Sequence, residues 1–385
     1  MVIEKVLGAR VLVKEEVELA QAAGRVLAGM VMADRDYPPV ARSIRDGFAV
    51  RSADLPGSLE MIGEVRAGGT FVGIVGAGQC VEIMTGAPMP AGADAVVMVE
   101  HTRRDGTLMA TDRKPSPGEF VNPQGAEAKR GQPLLPAGVR AGFAQVALLA
   151  TVGTTKVSVY RQPSVAILST GDEVVPVEAL PESNQVRNSN AWSVAVQVAR
   201  AGGLPTILPV AADNLEDTRR LVRAGLEHDL LLLSGGVSAG KYDHVETVLA
   251  EFEAEFYFDR VLLQPGQPLV FGKAEGKFVF GLPGNPASTM VTFELFGRAA
   301  VELLSGQQES ELRMPPMRLT TDFSHKTGLT RFLPARANAE GTEVTPVRWQ
   351  GSSDVAALAR ANAFLMAEAD RESWKAGEEI RVLMQ

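Results

Sequence analysis

Three short stretches carry side chains and backbone suited to an anionic ligand: STGDE at 169–173, SGGVSAGKYD at 234–243 and GLPGNPAST at 281–289. Each couples hydroxyls, amides or carboxylates with glycine. Glycine lets the backbone turn sharply and approach a bound group closely. Backbone amides at a strand-to-helix turn favour phosphate. Carboxylates hold a hard divalent cation that neutralises phosphate charge, or accept a proton from an attacking oxygen. Thr170, Asp172, Glu173, Ser234, Ser238, Asp243, Asn285 and Ser288 are the candidates for one shared pocket.

The elements that must position them are legible from periodicity. Residues 230–233 are four consecutive leucines, too short for a helix and suited to a strand buried on both faces. Ser234, Gly235 and Gly236 end that run, and Asp243 precedes a helix-like stretch as an acidic cap. Apolar runs at 165–168, 206–209 and 278–280 repeat the pattern. They alternate with helix-like segments at 190–201, 215–228, 244–251 and 287–304, which implies a mainly parallel sheet with helices on both faces. The first of these helices takes Ser189 or Asn190 as its cap and stops at Gly202-Gly203. Parallel strands deliver their following loops to one sheet edge, so the three stretches are expected to converge.

The rest of the chain has a different texture. A length of 385 residues suggests two to four domains. Residues 14–23 read as a short helix and 25–32 as a strand, before Pro38 and Pro39 interrupt regular structure. Asp46 and Gly47 form a turn ahead of the apolar 48–50, and 60–130 is rich in Gly and Val without helical period. A turn, a helix and a strand follow over 132–160, and 317–385 is strand-rich. The net charge of −8 opposes a nucleic-acid surface. The single cysteine, Cys80, excludes a disulfide framework and a cysteine zinc cluster, and reads as a small buried residue. The four histidines show no metal-ligand spacing. The N-terminal stretch has no cationic segment leading into an apolar core, and no apolar run reaches membrane-spanning length. A cytoplasmic protein without membrane partners is expected.

RSIRDGFAVR, VEIMTGAPMPAGADAVVMVE, STGDE, SGGVSAGKYD, PGQPLVFG, GLPGNPAS and QGSS follow one another in this order. Together they resemble the molybdopterin molybdotransferases, the MoeA and gephyrin E-domain family. The resemblance implies a multidomain α/β plus β protein. Its parts would be an elongated linker domain (1–44 and 132–160), an inserted β-rich domain (45–131), an α/β molybdopterin-binding domain (161–306) and a C-terminal β domain (312–385). It also implies a homodimer whose active site is completed by the β domain of the other subunit. The implied reaction inserts molybdenum from molybdate into adenylylated molybdopterin with Mg²⁺-dependent release of AMP. A separate molybdopterin adenylyltransferase and molybdoenzyme acceptors are the implied partners.

By motif match, Asp46, Thr85, Glu173 and Asp243 carry over as catalytic residues, with Asp46, Glu173 and Asp243 as metal ligands. The substrate-binding set is Ser169, Thr170, Gly171, Asp172, Asn190, Asp213, Ser234, Gly235, Gly236, Ser238, Gln264, Gln267, Pro283, Gly284, Asn285 and Ser352. Two departures stand out. Gly125-Ala126-Glu127 replaces the family's Gly-Glu-Asp, keeping an acid on a longer arm. Gln264 and Gln267 stand where the family commonly has lysines suited to an oxyanion. A hydrogen bond to a charged group is worth about 1.5–3 kcal/mol against about 0.5–1.5 for a neutral one. Losing that difference weakens oxyanion affinity roughly tenfold, unless another cation such as Lys241 or Arg260 compensates. The competing readings are a molybdopterin-binding module with weak turnover and a tungstate-preferring insertase. A Rossmann-type oxidoreductase is disfavoured, because no strand leads into the spaced triple-glycine loop with its acidic ribose partner.

Overall fold

The computed structural model describes residues 2–7, 12–235, 244–310 and 312–385. Gly236, Ser238, Lys241 and Asp243 lie outside these residues. The chain divides into two compact units. One comprises Met1–Ala28, Gly138–Ala141 and Ser158–Gln385; the other comprises Gly29–Ala137 and Gly142–Val157.

The first unit is organised on the leucine run. The strand Leu230–Ser234 is buried along its whole length. Leu230 and Leu232 enter one apolar cluster with Val194, Val198 and Val301. Leu231 and Leu233 enter another with Leu221, Val222, Val248 and Leu249. A strand with apolar side chains on both faces is stable only when helices cover both, and each buried leucine then contributes about 1.5–3 kcal/mol. Helices Ser189–Ala201 and Arg298–Leu304 cover one face, and Leu215–Gly225 and His244–Glu251 the other. The sheet order is Leu204–Ile207, Ser164–Ser169, Leu230–Ser234, Lys277–Leu282, Val270–Ala274, Glu255–Phe258. The first four strands are parallel, and Val270–Ala274 runs antiparallel to both of its neighbours, Lys277–Leu282 and Glu255–Phe258.

In the same unit a C-terminal barrel closes through Thr330–Ala337, Glu343–Pro346, Pro316–Leu319, Glu379–Met384 and Ala363–Ala367, whose last member pairs back with the first. Closure removes the exposed edges that an open sheet of this size would leave. Leu263–Gln264 adds to the barrel as a short parallel strand, with Gln264 opposite Arg331. Helix Pro286–Thr292 docks on the barrel through Ala287 and Val291 against Phe332 and Phe364. That contact joins the α/β sheet to the barrel.

The second unit is built on a six-stranded sheet in the order Ala95–Met98, Gly47–Val50, Gln79–Ile83, Gly57–Val65, Leu108–Thr111, Arg103–Asp105. Phe48, Val50 and Val97 pack on one face, and Ala49, Val81 and Val96 on the other. Cys80 is fully buried here, and burial pushes its thiol up to about 11.

Three local expectations are corrected. Lys14–Glu18 is a strand and Leu19–Gln21 a single 3₁₀ turn, not a helix over 14–23. The stretch has too few apolar residues to bury a helical face, and the Val13 carbonyl instead accepts from the Arg161 N–H at 2.9 Å. Helix Ser189–Ala201 is capped by Asn188, whose side chain accepts from the Ala191 N–H at 3.2 Å. That frees Asn190 for another task. The helix expected over 287–304 widens into a π turn at Phe293–Gly297, around the buried Glu294, which pairs with Arg200 at 2.8 Å.

Gly47 offers a clear stability test. A Cβ there would lie 2.0 Å from the Val97 backbone oxygen, so the strands would have to separate. Gly47→Ala is expected to destabilise the β-sheet unit by about 1–3 kcal/mol or more, read as a lowered urea midpoint. An unchanged midpoint would mean that the sheet accommodates the methyl group without cost.

Candidate functional site

The parallel register brings Ser169, Ser234 and Leu282 side by side at one sheet edge. The loops that follow are tied together by backbone bonds. Thr170 N–H donates to the Ser234 oxygen and Gly235 N–H to the Leu282 oxygen, each at 3.3 Å. Gly235 has φ +90°, the left-handed region in which glycine is favoured, and a Cβ there would press on the Thr170 oxygen at 3.1 Å. Asn190 spans two of the loops: its Nδ2 donates to Ser234 Oγ at 3.0 Å and to the Gly284 oxygen at 2.7 Å. Its Oδ1 is buried without a hydrogen-bond partner among the described residues. Behind it, Ser169 Oγ donates to Asn188 Oδ1 at 3.0 Å, locking the cap to the strand end.

These groups surround a cavity of about 480 Å³ that includes Thr170, Glu173, Asn190, Ser234, Gly235 and Asn285 in its wall. Arg187, which the sequence reading missed, contributes the one cation among its described lining residues. Gly171 holds the turn, donating from its N–H to the Ala211 oxygen at 3.2 Å. Asp172 and Asp213 stand just beyond. Asp172 N–H donates to Asp213 Oδ2 at 3.3 Å, and Asp213 N–H to Asp172 Oδ1 at 3.0 Å. Pro283 is buried, its carbonyl accepting from Thr289 Oγ1.

A second cavity, of about 350 Å³, opens between the QPGQP turn and the barrel. Gln264 and Gln267 both line it, as do Asn285, Ser288 and Ser352. The Ser352 carbonyl accepts from the Ala287 N–H at 2.9 Å, which fixes the QGSS loop to the start of helix Pro286–Thr292. Asn285 is common to both cavities. Arg331 is the only charged residue among those lining the second one, and its Nε is buried with no hydrogen-bond partner among the described residues. Arg260, offered by sequence proximity, is not in that wall. No sequence signal pointed to Arg331, because its nearness to Gln264 comes from pairing between segments far apart in the chain.

Asp46 and Thr85 belong to the other unit. Both are exposed, and Asp46 Oδ1 accepts the Thr85 backbone N–H at 2.6 Å. Hydrogen bonds from the Thr85 backbone and side chain hold the Asp46 carboxyl below its usual value, so it is a carboxylate at neutral pH. Glu127 is exposed in the same unit and accepts from Asn122 Nδ2 at 3.0 Å. Among the described residues no group of three or more His, Cys, Asp or Glu side chains converges on one point. None of their helices is long and apolar enough to cross a membrane.

Comparison with known proteins covers almost the whole chain. Residues 2–153 match the profile of the MoeA N-terminal region, domains I and II. Residues 166–303 match a probable molybdopterin-binding domain, and 316–384 the MoeA C-terminal region, domain IV. The molybdopterin molybdenumtransferase of Staphylococcus epidermidis is 34% identical over 393 residues, covering 99% of this chain and 94% of its own length. The crystal structure of a molybdopterin biosynthesis MoeA protein from Pyrococcus horikoshii superposes with a TM-score of 0.78 at 31% identity, over 99% of this chain and 97% of that one. A second structure of a MoeA protein from that organism gives 0.82 at 27% identity, over 98% and 96%. The fold, the order of the motifs and these likenesses agree: the chain belongs to the MoeA family of molybdopterin molybdenumtransferases.

Proposed function

We propose that this chain inserts molybdenum from molybdate into adenylylated molybdopterin, with Mg²⁺-dependent release of AMP. The observation that carries the reading is the pair of cavities meeting at Asn285. One has glycine backbone, hydroxyls and a carboxylate suited to a phosphorylated pterin; the other has amides, hydroxyls and a guanidinium suited to an oxyanion. The unpartnered Oδ1 of Asn190 is an acceptor for a ligand N–H, which a pterin ring supplies. Arg187 and the amides near Gly235 and Gly284 suit the phosphates.

The residues fit Mg²⁺. This ion takes oxygen donors, and commonly one or two carboxylates with substrate phosphates and water completing the shell. Glu173 opens on the cavity, and Asp172 and Asp213 lie at the same edge of the sheet. Asp46 and Asp243 complete the ligand set proposed from the family motifs. When bound, Mg²⁺ would offset the pyrophosphate charge as AMP departs. Glu173 and Asp46 are the groups that orient a water or take its proton, and Thr85 keeps Asp46 ionised for that role. Molybdate is the second substrate, received between Gln264, Gln267 and Ser352. The working assembly is a homodimer in which a second copy supplies Asp46 and Thr85 to this site.

Purified protein with adenylylated molybdopterin, Mg²⁺ and molybdate is expected to release AMP. Ligand binding without AMP release would favour the molybdopterin-binding module, the reading to which the neutral Gln264 and Gln267 lend support. Asp46→Asn keeps an acceptor for the Thr85 N–H, so the thermal midpoint should hold while AMP release falls about a hundredfold or more. Near wild-type turnover would remove Asp46 from the chemistry. Light scattering at micromolar protein should give a dimer mass; a monomer would rule out the composite site. Gln267→Lys should lower the half-saturating molybdate concentration, with a gain that shrinks as salt is added. Superimposable titrations at low salt would place Gln267 outside the oxyanion site.

A further inference from the structure

We infer that another cavity of this chain is a ligand site in its own right, shaped for an uncharged, planar, mainly apolar molecule with one N–H donor. It lies among helices Ser189–Ala201, Pro286–Thr292 and Val355–Arg360 and the barrel strand Ala363–Ala367. Its volume is about 330 Å³, and with the two cavities that meet at Asn285 it shares only Val355 among their described lining residues. Val196, Met290, Val355, Leu358 and Phe364 make the wall apolar. Leu358 and Phe364 belong to one packed cluster with Val291, and Met290 packs against it, so the wall is held in shape by the protein itself. Val196 is 68% exposed, which leaves the mouth open to solvent. A mostly apolar hollow with a few convergent polar groups is the usual form of a small-molecule site. An apolar cavity of about 150 Å³ holds benzene, so a two-ring molecule fits in this one.

The polar groups select the ligand. Gln197 Nε2 donates to the Met290 carbonyl and to Glu294 Oε2, each at 3.1 Å. All three residues line the cavity, so the amide that ties them together lies in its wall. A carbonyl and a carboxylate only accept, which fixes the amide in one orientation and leaves Oε1 as its other end. That oxygen is buried with no hydrogen-bond partner among the described residues, although a buried acceptor is ordinarily satisfied. An N–H of a molecule in the cavity would satisfy it. The bond from the same amide to Glu294 polarises the group and makes Oε1 the stronger acceptor. Glu294 stands on the π turn Phe293–Gly297, an irregularity that recurs at functional sites. The charges here disfavour an ionic ligand. Glu294 pairs with Arg200 at 2.8 Å, so an anion would face the carboxylate and an ammonium the guanidinium. A neutral donor meets neither penalty.

Calorimetric titration of the full chain with indole tests this, beside benzofuran, which has the same shape with an oxygen in place of the N–H. Indole is expected to bind once per chain with a sub-millimolar dissociation constant, and benzofuran about tenfold more weakly. Gln197→Leu removes the acceptor and should bring the two ligands to equal affinity, a change of ratio that a merely distorted wall does not produce. Ala359→Phe sets a ring at the cavity wall and should weaken both ligands about tenfold or more. Thermal midpoints accompany each variant. If Gln197→Leu fails to fold, the two ligands on wild type and on Ala359→Phe decide the matter. No binding of indole by the wild type up to its solubility limit would overturn the inference. So would equal affinity of the wild type for indole and benzofuran, or undiminished indole binding by Ala359→Phe. None of these readings requires AMP release, so their failure leaves the proposed insertion reaction standing.

Discussion

The constraint on which the α/β half of this protein depends is the burial of four consecutive leucines on both faces of one strand. A strand without a polar face cannot end a sheet or lie at its surface. It must sit between two parallel neighbours and two helix layers, and it does. Parallel neighbours in turn put the ends of Ser164–Ser169, Leu230–Ser234 and Lys277–Leu282 at one level. The hydroxyls, glycines and carboxylates of the site thus converge as a consequence of apolar packing several residues away. Chemistry is confined to the positions where the apolar runs stop.

The barrel adds a second kind of positioning. A closed sheet is stiff and has no free edge, so a side chain on it is held against whatever the barrel docks upon. The docking surface is apolar, with Phe332 and Phe364 against Ala287 and Val291. The residues flanking that surface, Asn285 and Ser288 on one side and Arg331 on the other, are polar. An apolar contact with a polar rim recurs at binding sites because the first supplies rigidity and the second specificity.

Much of this was legible in the sequence, for identifiable reasons. The strand–helix alternation from 164 to 304 is carried by uninterrupted apolar runs, and those runs are what the fold buries. The converging loops followed from parallelism alone. Asn190 was placed in the site, while its reading as a cap failed. Asn188 one turn-half earlier serves that purpose, and both are short polar side chains that sequence alone does not distinguish. The helix expected over 14–23 failed because short charged stretches take their conformation from neighbouring segments. Arg331 was invisible because the segments that share its cavity are distant in the chain, and Arg187 because nothing periodic marks a cation two residues ahead of a helix. A charge in a cavity wall leaves no periodic trace.

Cys80 has a consequence of another kind. It is the one thiol in the chain, fully buried, with its ionisation pushed up to about 11. At neutral pH only about one molecule in ten thousand would carry the reactive thiolate even before access is considered. Alkylation of this protein is therefore gated by separation of the sheet around Gln79–Ile83, and its rate reports that opening. The molecule carries its own clock for breathing of the β-sheet unit, readable without any introduced label site.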